Sequence, residues 1–485
     1  MLPENIGGTI MAAEMKCHLG HEKHGRGTNA AGNTRNGTSK KTLKDPMRTS
    51  FTGRQDARDL SLQVLQELER TRFPIQAVLN EVLGRAACHP ADAALCSELS
   101  YGVLRMEIRL RWLLARFLRA PDKLPPRMRR ILLVAAYALL FLEGMPKHAV
   151  VDWAVDRVKR RHGRLLARVA NGCLRALCRE GAAPRDYAYY HAAGQEVEAQ
   201  QALYHSLPLW MVRLWHAGYG PDKAALLMAK SSARPPAGLR VNRLRTGWED
   251  LARQLSDAGA QRLAPACFAV APELRAQLEA HCSLGVLLSE GRLSRQGAAS
   301  QLALEVLHPD AWPEPLWDAC AGQGSKSCAL LELGKDVRIA GDTHLPRLRR
   351  ISGECRRLHL PQPLLVRASA LRPPLGFKPG TIVLDAPCSG LGVLASRPDI
   401  RRHRQARQVQ DLVQVQADML EAAHSELASG GHIAYMTCTQ NPAENEERIR
   451  DFLSRHPDVA LILEWNSPAE NMLLEGMYAA LLVKR

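Results

Sequence analysis

The chain has 485 residues, 46% of them hydrophobic and 24% charged, and a formal net charge of +16. The length exceeds one ordinary core and points to about three domains, while the composition is that of folded globular protein and excludes disorder throughout. The positive balance favours a polyanionic partner, and the longest apolar run, Ile131 to Leu142, stops at Glu143, short of the roughly 20 residues that a membrane-spanning helix needs.

Residues 1–54 are rich in Gly, Asn, Thr, Ser and Lys and show no apolar periodicity. Such a segment cannot bury enough surface to offset its ordering entropy, so a disordered basic tail is expected. From 55 to 182, Leu62, Leu65 and Leu68, then Ile75, Val78, Leu79, Val82 and Leu83, recur at three- and four-residue spacing, which predicts an all-helical domain. Pro90, Pro121, Pro125, Pro126 and Pro146 divide it into several helices. Its basic runs, PPRMRR at 125–130 and RVKRRHGR at 157–164, are either solvated faces or RNA contacts. Residues 183–300 mix short helical and strand patterns, with VNRLRT at 241–246 resembling a strand edge that enters a turn.

From 301 to 485 short apolar strands alternate with helical stretches, the signature of an α/β domain with a parallel sheet. The strands are expected at Leu316 to Cys320, Val337 to Asp342, Thr381 to Asp385 and His432 to Cys438. Ligands in such sheets bind beyond the carboxyl ends of the strands, where each of these segments places a polar residue or a thiol. In DACAGQGSKS, 318–327, Gly322 and Gly324 permit a ligand to approach exposed amides at a helix start. The loop is neither a Walker A loop nor a full GxGxxG, and the next strand ends in Asp342, whose carboxylate can accept ribose hydroxyls.

Two further strand ends carry thiols. VLDAPCSGLGVLASRPDIRRHR, 383–404, delivers Asp385, Pro387 and Cys388 into a glycine-bearing turn, and Arg397, Arg401, Arg402, Arg404 and Arg407 follow. GHIAYMTCTQNPAENEERI, 431–449, ends its strand at Thr437 and Cys438. One cysteine in such a place is commonly structural; two at neighbouring strand ends point to chemistry. The twelve cysteines include no CxxC pair, so neither a disulfide framework nor a metal site is expected, and a reducing cytoplasm fits. The opening residues lack the charged start and apolar stretch of a secretory signal.

These segments resemble the RsmB/Sun family of RNA 5-methylcytosine methyltransferases, which share the NOP2-type catalytic domain: Asp385 to Ser389 match its Asp-Ala-Pro-Cys-Ser segment, and Thr437-Cys438 with Asn441-Pro442 and Glu444-Asn445 match its Thr-Cys segment. Residues 55–182, including YGVLR at 101–105, resemble the NusB-like helical RNA-binding domain of these proteins, and RVNRLRT at 240–246 and RQGAASQLAL at 295–304 resemble the pieces leading into the methyltransferase core. The resemblance implies an all-α NusB-like domain, a small α+β RNA-binding subdomain within 183–300, and a Rossmann-like class I methyltransferase domain over 301–485. It implies S-adenosylmethionine as cofactor, held by Asp318, Cys320, Ala321, Gly322, Gln323, Gly324, Ser325, Lys326, Asp342 and Asp385. Cys438 would add to cytosine C6, Cys388 would assist product release, and Asp385 and Lys326 would face the base. Arg397, Arg401, Arg402 and Arg404 would hold phosphates of the substrate, expected to be small-subunit (16S) ribosomal RNA. A cytoplasmic monomer without metal or membrane partner is expected.

The chain departs from the family where Pro-Gly-Gly-Lys becomes Gln323, Gly324, Ser325 and Lys326. Acids are absent at Ala368 and Ser369, at His344 and at Gly297, and paired arginines become Ala395 and Ser396. These changes bear on the cofactor and leave open a second class of function, an RNA-binding or ribosome-assembly protein with weakened catalysis. A DNA cytosine methyltransferase, which uses the Pro-Cys thiol as nucleophile, is disfavoured by Thr437-Cys438.

Overall fold

The computed structural model describes residues 56–485 except 72, 87, 195 and 374; the expected tail at 1–54 lies outside the described residues. Six helices come first: α1 (Ala57–Arg70), α2 (Ile75–Arg85), α3 (Pro90–Arg105), α4 (Glu107–Ala115), α5 (Pro126–Phe141) and α6 (Lys147–Arg179). The prolines act as read: Pro90 and Pro126 open α3 and α5, and Pro146 precedes α6, positions where a missing amide hydrogen is not needed. α1 buries Leu60, Val64, Leu65 and Leu68 on one face. α5 is buried on all sides from Ile131 to Leu140, as a helix apolar all round must be, and it holds the bundle together. The apolar run that falls short of a membrane span is therefore the core helix, and among the described residues no helix is long and apolar enough to cross a membrane.

Two helices, α7 (Val197–Tyr204) and α8 (Leu209–Ser232), lead to a small α+β unit. It contains β1 (Ala237–Val241), α9 (Trp248–Asp257), β2 (Gln261–Ala264), β3 (Cys267–Val270), α10 (Arg275–Cys282), α11 (Leu284–Ser289) and β4 (Leu293–Arg295). The strands form an antiparallel sheet in the order β2-β3-β1-β4. VNRLRT behaves as the pattern suggests: β1 ends at Val241, and the Asn242 side chain accepts the Leu244 amide hydrogen at 3.0 Å to close a turn. Helix α12 (Ala298–Val306) then leads into the last domain.

That domain consists of β5 (Leu316–Asp318), α13 (Ser325–Glu332), β6 (Val337–Asp342), α14 (Leu345–Leu358), β7 (Leu364–Arg367), β8 (Thr381–Asp385), α15 (Ile400–His403), α16 (Ala406–Glu426), β9 (His432–Thr437), α17 (Glu446–Arg455), β10 (Val459–Asn466) and β11 (Tyr478–Lys484). The sheet order is β10-β11-β9-β8-β5-β6-β7. β7 through β9 run parallel and the β10–β11 hairpin is antiparallel. Alternate strand residues feed opposite cores. Leu316, Ala340, Val383 and Ala434 pack with α12, α13 and α14 on one face, and Trp317, Ile339, Ile382 and Ile433 pack with α16 and α17 on the other. Two of the four expected strands end sooner than read: Cys320 lies two residues past β5 and Cys438 one past β9. The thiols thus stand on loops, free of the ladder.

After β5 the chain builds β6 and β7 on one side, then crosses to β8 on the other. The switch point between β5 and β8 opens a crevice at their carboxyl ends, where an open α/β sheet binds ligand.

Candidate active site

β8 and β9 are parallel neighbours, with Asp385 opposite Met436, so the loops that leave them run side by side. Cys388 Sγ and Cys438 Sγ lie 3.3 Å apart. The Cys438 thiol is held below its ordinary value, first by the hydrogen bond from Cys388 and then, against burial and Asp385, by the positive charges of Arg397 and Lys326. The Cys388 thiol is pushed up by that same bond, by burial and by the Cys438 charge. The pair therefore favours the proton on Cys388 and the negative charge on Cys438 whenever one of the two thiols ionises.

A buried polar network holds both loops. Glu444, fully buried, accepts hydrogen bonds from the Ser389 amide (2.7 Å), from Asn441 Nδ2 (2.9 Å) and from Gln416 Nε2 (3.1 Å), and Gln416 also donates to Pro387 O. Asn445 accepts from Thr437 Oγ1 at 2.6 Å and donates to Thr439 O at 3.0 Å. The short turn at 391–393 completes the brace: Gly392 donates to Cys438 O at 3.1 Å and accepts from the Gly476 amide at 2.8 Å. A side chain at 392 would strike Gly476 O at 1.9 Å, so only glycine fits. In the sequence Glu444 reads as one more acid ahead of an acid-rich helix, and nothing there marks its burial.

On the β5 side, Asp318 is fully buried and accepts the Ser327 hydroxyl at 2.5 Å; burial pushes its carboxyl up to about 6. It supports the loop from beneath: β5 is a central strand and the loop folds over its end. Cys320 is pushed far up by burial and by Asp318, Asp385 and Asp342 around it. Ala321 donates to Gly341 O at 2.8 Å, and Gly322 (φ +57°) donates to Asp342 Oδ2 at 3.0 Å. Asp342 also accepts the His344 amide. Gly324 (φ +83°) packs so close to Ile351 that a Cβ would lie 2.8 Å from its Cγ1. Gln323 is exposed and accepts from Arg350 at 3.1 Å, and Ser325 is an exposed first residue of α13. Neither has a positive φ. Lys326 is buried, with Nζ 2.6 Å from Asp385 Oδ2, and this pair bridges the β5 and β8 sides.

Lys326, Asp385 and Cys438 open onto one cavity of about 710 Å³, whose far wall comes from α3, the segment after α8 and the start of α10. A sequence profile of the 16S rRNA methyltransferase RsmB/F family matches residues 304–481, a NusB family profile residues 55–179, and a ferredoxin-like domain profile of RsmF/B-like methyltransferases residues 207–275. The "Probable ribosomal RNA small subunit methyltransferase B" of Synechocystis is 30% identical over 440 residues, covering 88% of this chain and 96% of that protein. The chain belongs to the RsmB/F family of rRNA methyltransferases. The "Ribosomal RNA small subunit methyltransferase B" of Vibrio vulnificus is also 30% identical, over 82% of this chain and 92% of its own. The crystal structure of PH0851 superposes with a TM-score of 0.69 at 20% identity, over 88% of this chain and 98% of its own, which shows a shared fold.

Within this RsmB/F protein, the arginine run after Cys388 departs from expectation. Arg397 is exposed and lines the cavity. Arg401 is buried and donates to Leu394 O (3.0 Å) and to Ser231 O (2.7 Å) at the end of α8. Arg402 pairs with Glu107 at 3.2 Å, and Arg404 donates to Ser389 O and Cys388 O, both at 3.3 Å. These three arginines are tied to the protein itself, because α15 is wedged between the helical domain and α8 and its guanidiniums meet carbonyls and carboxylates there. Of the four, Arg397 lines the cavity, while Arg401 is buried and the half-buried Arg402 and Arg404 are held by these contacts.

Proposed function

We propose that this chain methylates C5 of a cytosine in RNA, with small-subunit ribosomal RNA as substrate and S-adenosylmethionine as donor. The observation that carries the assignment is the Cys388–Cys438 pair, one thiol biased to its anion and the other to its protonated form at 3.3 Å. Cytosine C5 is a poor nucleophile, and adding a thiolate at C6 makes it electron-rich. Cys438 is the nucleophile: its sulfur forms the bond to C6. Asp385, oriented by Lys326, hydrogen-bonds the polar edge of the base. After methylation the C5 proton passes to a base, the Cys388 sulfur once its own proton has gone to solvent, and the electrons left behind re-form the C5–C6 double bond as the sulfur–C6 bond breaks and Cys438 leaves as thiolate. The base reaches the thiols only when unstacked or single-stranded. The names of the Synechocystis and Vibrio relatives support the ribosomal substrate.

The residues beyond β5 and β6 suit the donor. A Cβ at Gly322 would meet only Cys320 O, at 4.0 Å, so the backbone there admits close approach. Asp342 and Asp385, with Asp318 beneath, surround Cys320 with negative charge, which favours a sulfonium. Cys320 to Lys326, Asp342 and Asp385 would hold the molecule, which supplies an electrophilic methyl when bound. Transfer of labelled methyl to small-subunit rRNA transcripts, with bisulfite mapping, tests the assignment. Label at a cytosine with wild type and none with Cys438→Ala is expected. RNA binding without transfer by the wild type would mean a binding protein of the same fold.

A further inference from the structure

Five arginines from distant parts of the chain face the cavity that holds Cys438. Arg105 ends α3, Arg234 follows α8, Arg275 begins α10, Arg295 ends β4, and Arg397 follows the Cys388 turn. Two contacts order them: Arg105 donates to Ala395 O, two residues before Arg397, and Arg275 donates to Pro235 O, next to Arg234.

The carboxylates lining the cavity are already engaged. Asp385 pairs with Lys326. Glu98 accepts from Arg234 at 2.9 Å and from the Tyr137 hydroxyl at 2.6 Å. Glu475 is pushed toward its neutral form by burial and accepts the Ala299 amide. Arg105 and Arg275 are instead tied to uncharged groups: Arg105 donates twice to Ala395 O, at 3.1 and 3.3 Å, and Arg275 donates to Pro235 O. Neither forms a salt bridge among the described residues, and Arg275 Nε is buried without a hydrogen-bond partner there. Carbonyls aim a guanidinium but do not neutralise it. Burial, with Arg295, Arg105 and Arg234 adding repulsion, holds Arg275 below its ordinary value. Arg105 and Arg275, drawn out of water with carbonyls in place of a carboxylate at hydrogen-bond distance, are unfavourable there unless an anion joins them.

We infer that this cluster binds the backbone phosphates of a single-stranded RNA segment whose target base reaches Cys438. The inference rests on the RNA methyltransferase assignment and adds the track of the strand: over Arg397, along the α3 wall past Arg105, to Arg275. Guanidinium forks match phosphate oxygens in two-bond geometry, and Tyr101, lying along this wall, offers a ring on which a flanking base stacks. The helical domain is therefore part of the catalytic cavity as well as an RNA-binding module. The cations strung along one wall fit successive phosphates better than a single free anion.

The test is anisotropy of a fluorescein-labelled single-stranded RNA, about 15 nucleotides long, titrated with the full chain across a salt series. The Arg275→Gln/Arg397→Gln double variant is compared with Arg161→Gln/Arg164→Gln, which removes two exposed charges of α6. The cavity pair is expected to weaken binding at least tenfold near 0.1 M salt and to flatten the salt slope by about 1.4, at roughly 0.7 per phosphate of single strand. Arg275→Gln alone should give about half that change, and the α6 pair little. Inorganic phosphate at matched ionic strength should not compete. Wild-type slopes in the cavity pair, an equal loss in the α6 pair, or competition by free phosphate would each overturn the inference. Retained S-adenosylmethionine binding shows that each variant is folded. If the wild type binds RNA but transfers no methyl, the methyltransferase assignment fails while the slopes still decide the arginine site.

Discussion

The floor of the cavity is made by strand ends, and its far wall by a helix 290 positions away from the loop it touches. The two regions solve opposite electrostatic problems. On the floor every charge has a partner at hand: Lys326 with Asp385, Cys438 with the Cys388 thiol, Glu444 with four donors. A network satisfied in this way is rigid, and rigidity is what a thiolate needs to meet one carbon atom. On the wall Arg234 has Glu98, but Arg105 and Arg275 are aimed by carbonyls and not neutralised, as suits a flexible, charged substrate. The comparison predicts that changes to the floor alter chemistry, changes to the wall alter substrate affinity, and changes beneath either alter stability.

The largest effect is expected at the proposed nucleophile. Cys438→Ala should remove methyl transfer, a loss of at least about 10⁴-fold, because covalent activation of C5 is lost entirely; labelled-methyl transfer measures it, and surviving product would remove Cys438 from its role. Cys388→Ala should instead accumulate a protein–RNA adduct on denaturing gels. It should also shift the pH dependence of adduct formation on 5-fluorocytosine RNA. The Cys388 hydrogen bond lowers Cys438, so its loss raises the Cys438 value, and the rising limb of the rate moves to higher pH. A limb that stays in place would mean that Arg397 and Lys326 alone set the thiolate.

The next effect lies beneath the floor. Glu444→Ala leaves the Ser389 amide and the Asn441 and Gln416 side chains without their shared acceptor, at about 1–3 kcal/mol for each buried group left unmade. Urea unfolding should show the loss, and turnover should fall at unchanged RNA affinity. Arg401→Met should cost about 2–3 kcal/mol, since Leu394 O and Ser231 O lose a charged donor, while the salt slope of RNA binding stays as in wild type. A flattened slope would return Arg401 to the phosphate-binding surface.

The floor was legible in the sequence and the wall was not, for physical reasons. Strands buried on both faces announce themselves as apolar runs, and the residues that break each run, Asp385 to Cys388 and Thr437-Cys438, must stand at the sheet's carboxyl edge. The arginines after Cys388 carry no such mark. A run of this kind reads as a phosphate-binding surface, and only the approach of Ser231 O, 170 positions away in the chain, makes Arg401 structural. Glu444 shares the problem, since burial of an acid is a tertiary event. Arg105, Arg234 and Arg275 are unremarkable where they stand and matter only because three domains bring them to one cavity. β10 and β7 carry little signal because edge strands need less continuous apolar sequence than central ones, whereas β11, paired on both sides, does carry an apolar run, YAALLVK.

The smallest effect concerns the loop that departs most from its family. Ser325→Gly, alone or with Gln323→Pro, restores the usual residues at the two altered positions. Both side chains are exposed, neither residue has a positive φ, and the two positions that demand glycine, Gly322 and Gly324, are glycine already. A glycine in the first turn of α13 also gains backbone freedom in the unfolded chain, a cost of at most about 1 kcal/mol. Affinity for S-adenosylmethionine, measured by calorimetry, should therefore change less than about threefold in either direction. A tenfold gain would show that the Ser325 side chain obstructs the donor; a result near unity would leave Ser369 and His344, where acids are missing beyond β7 and β6, as the positions that tune it.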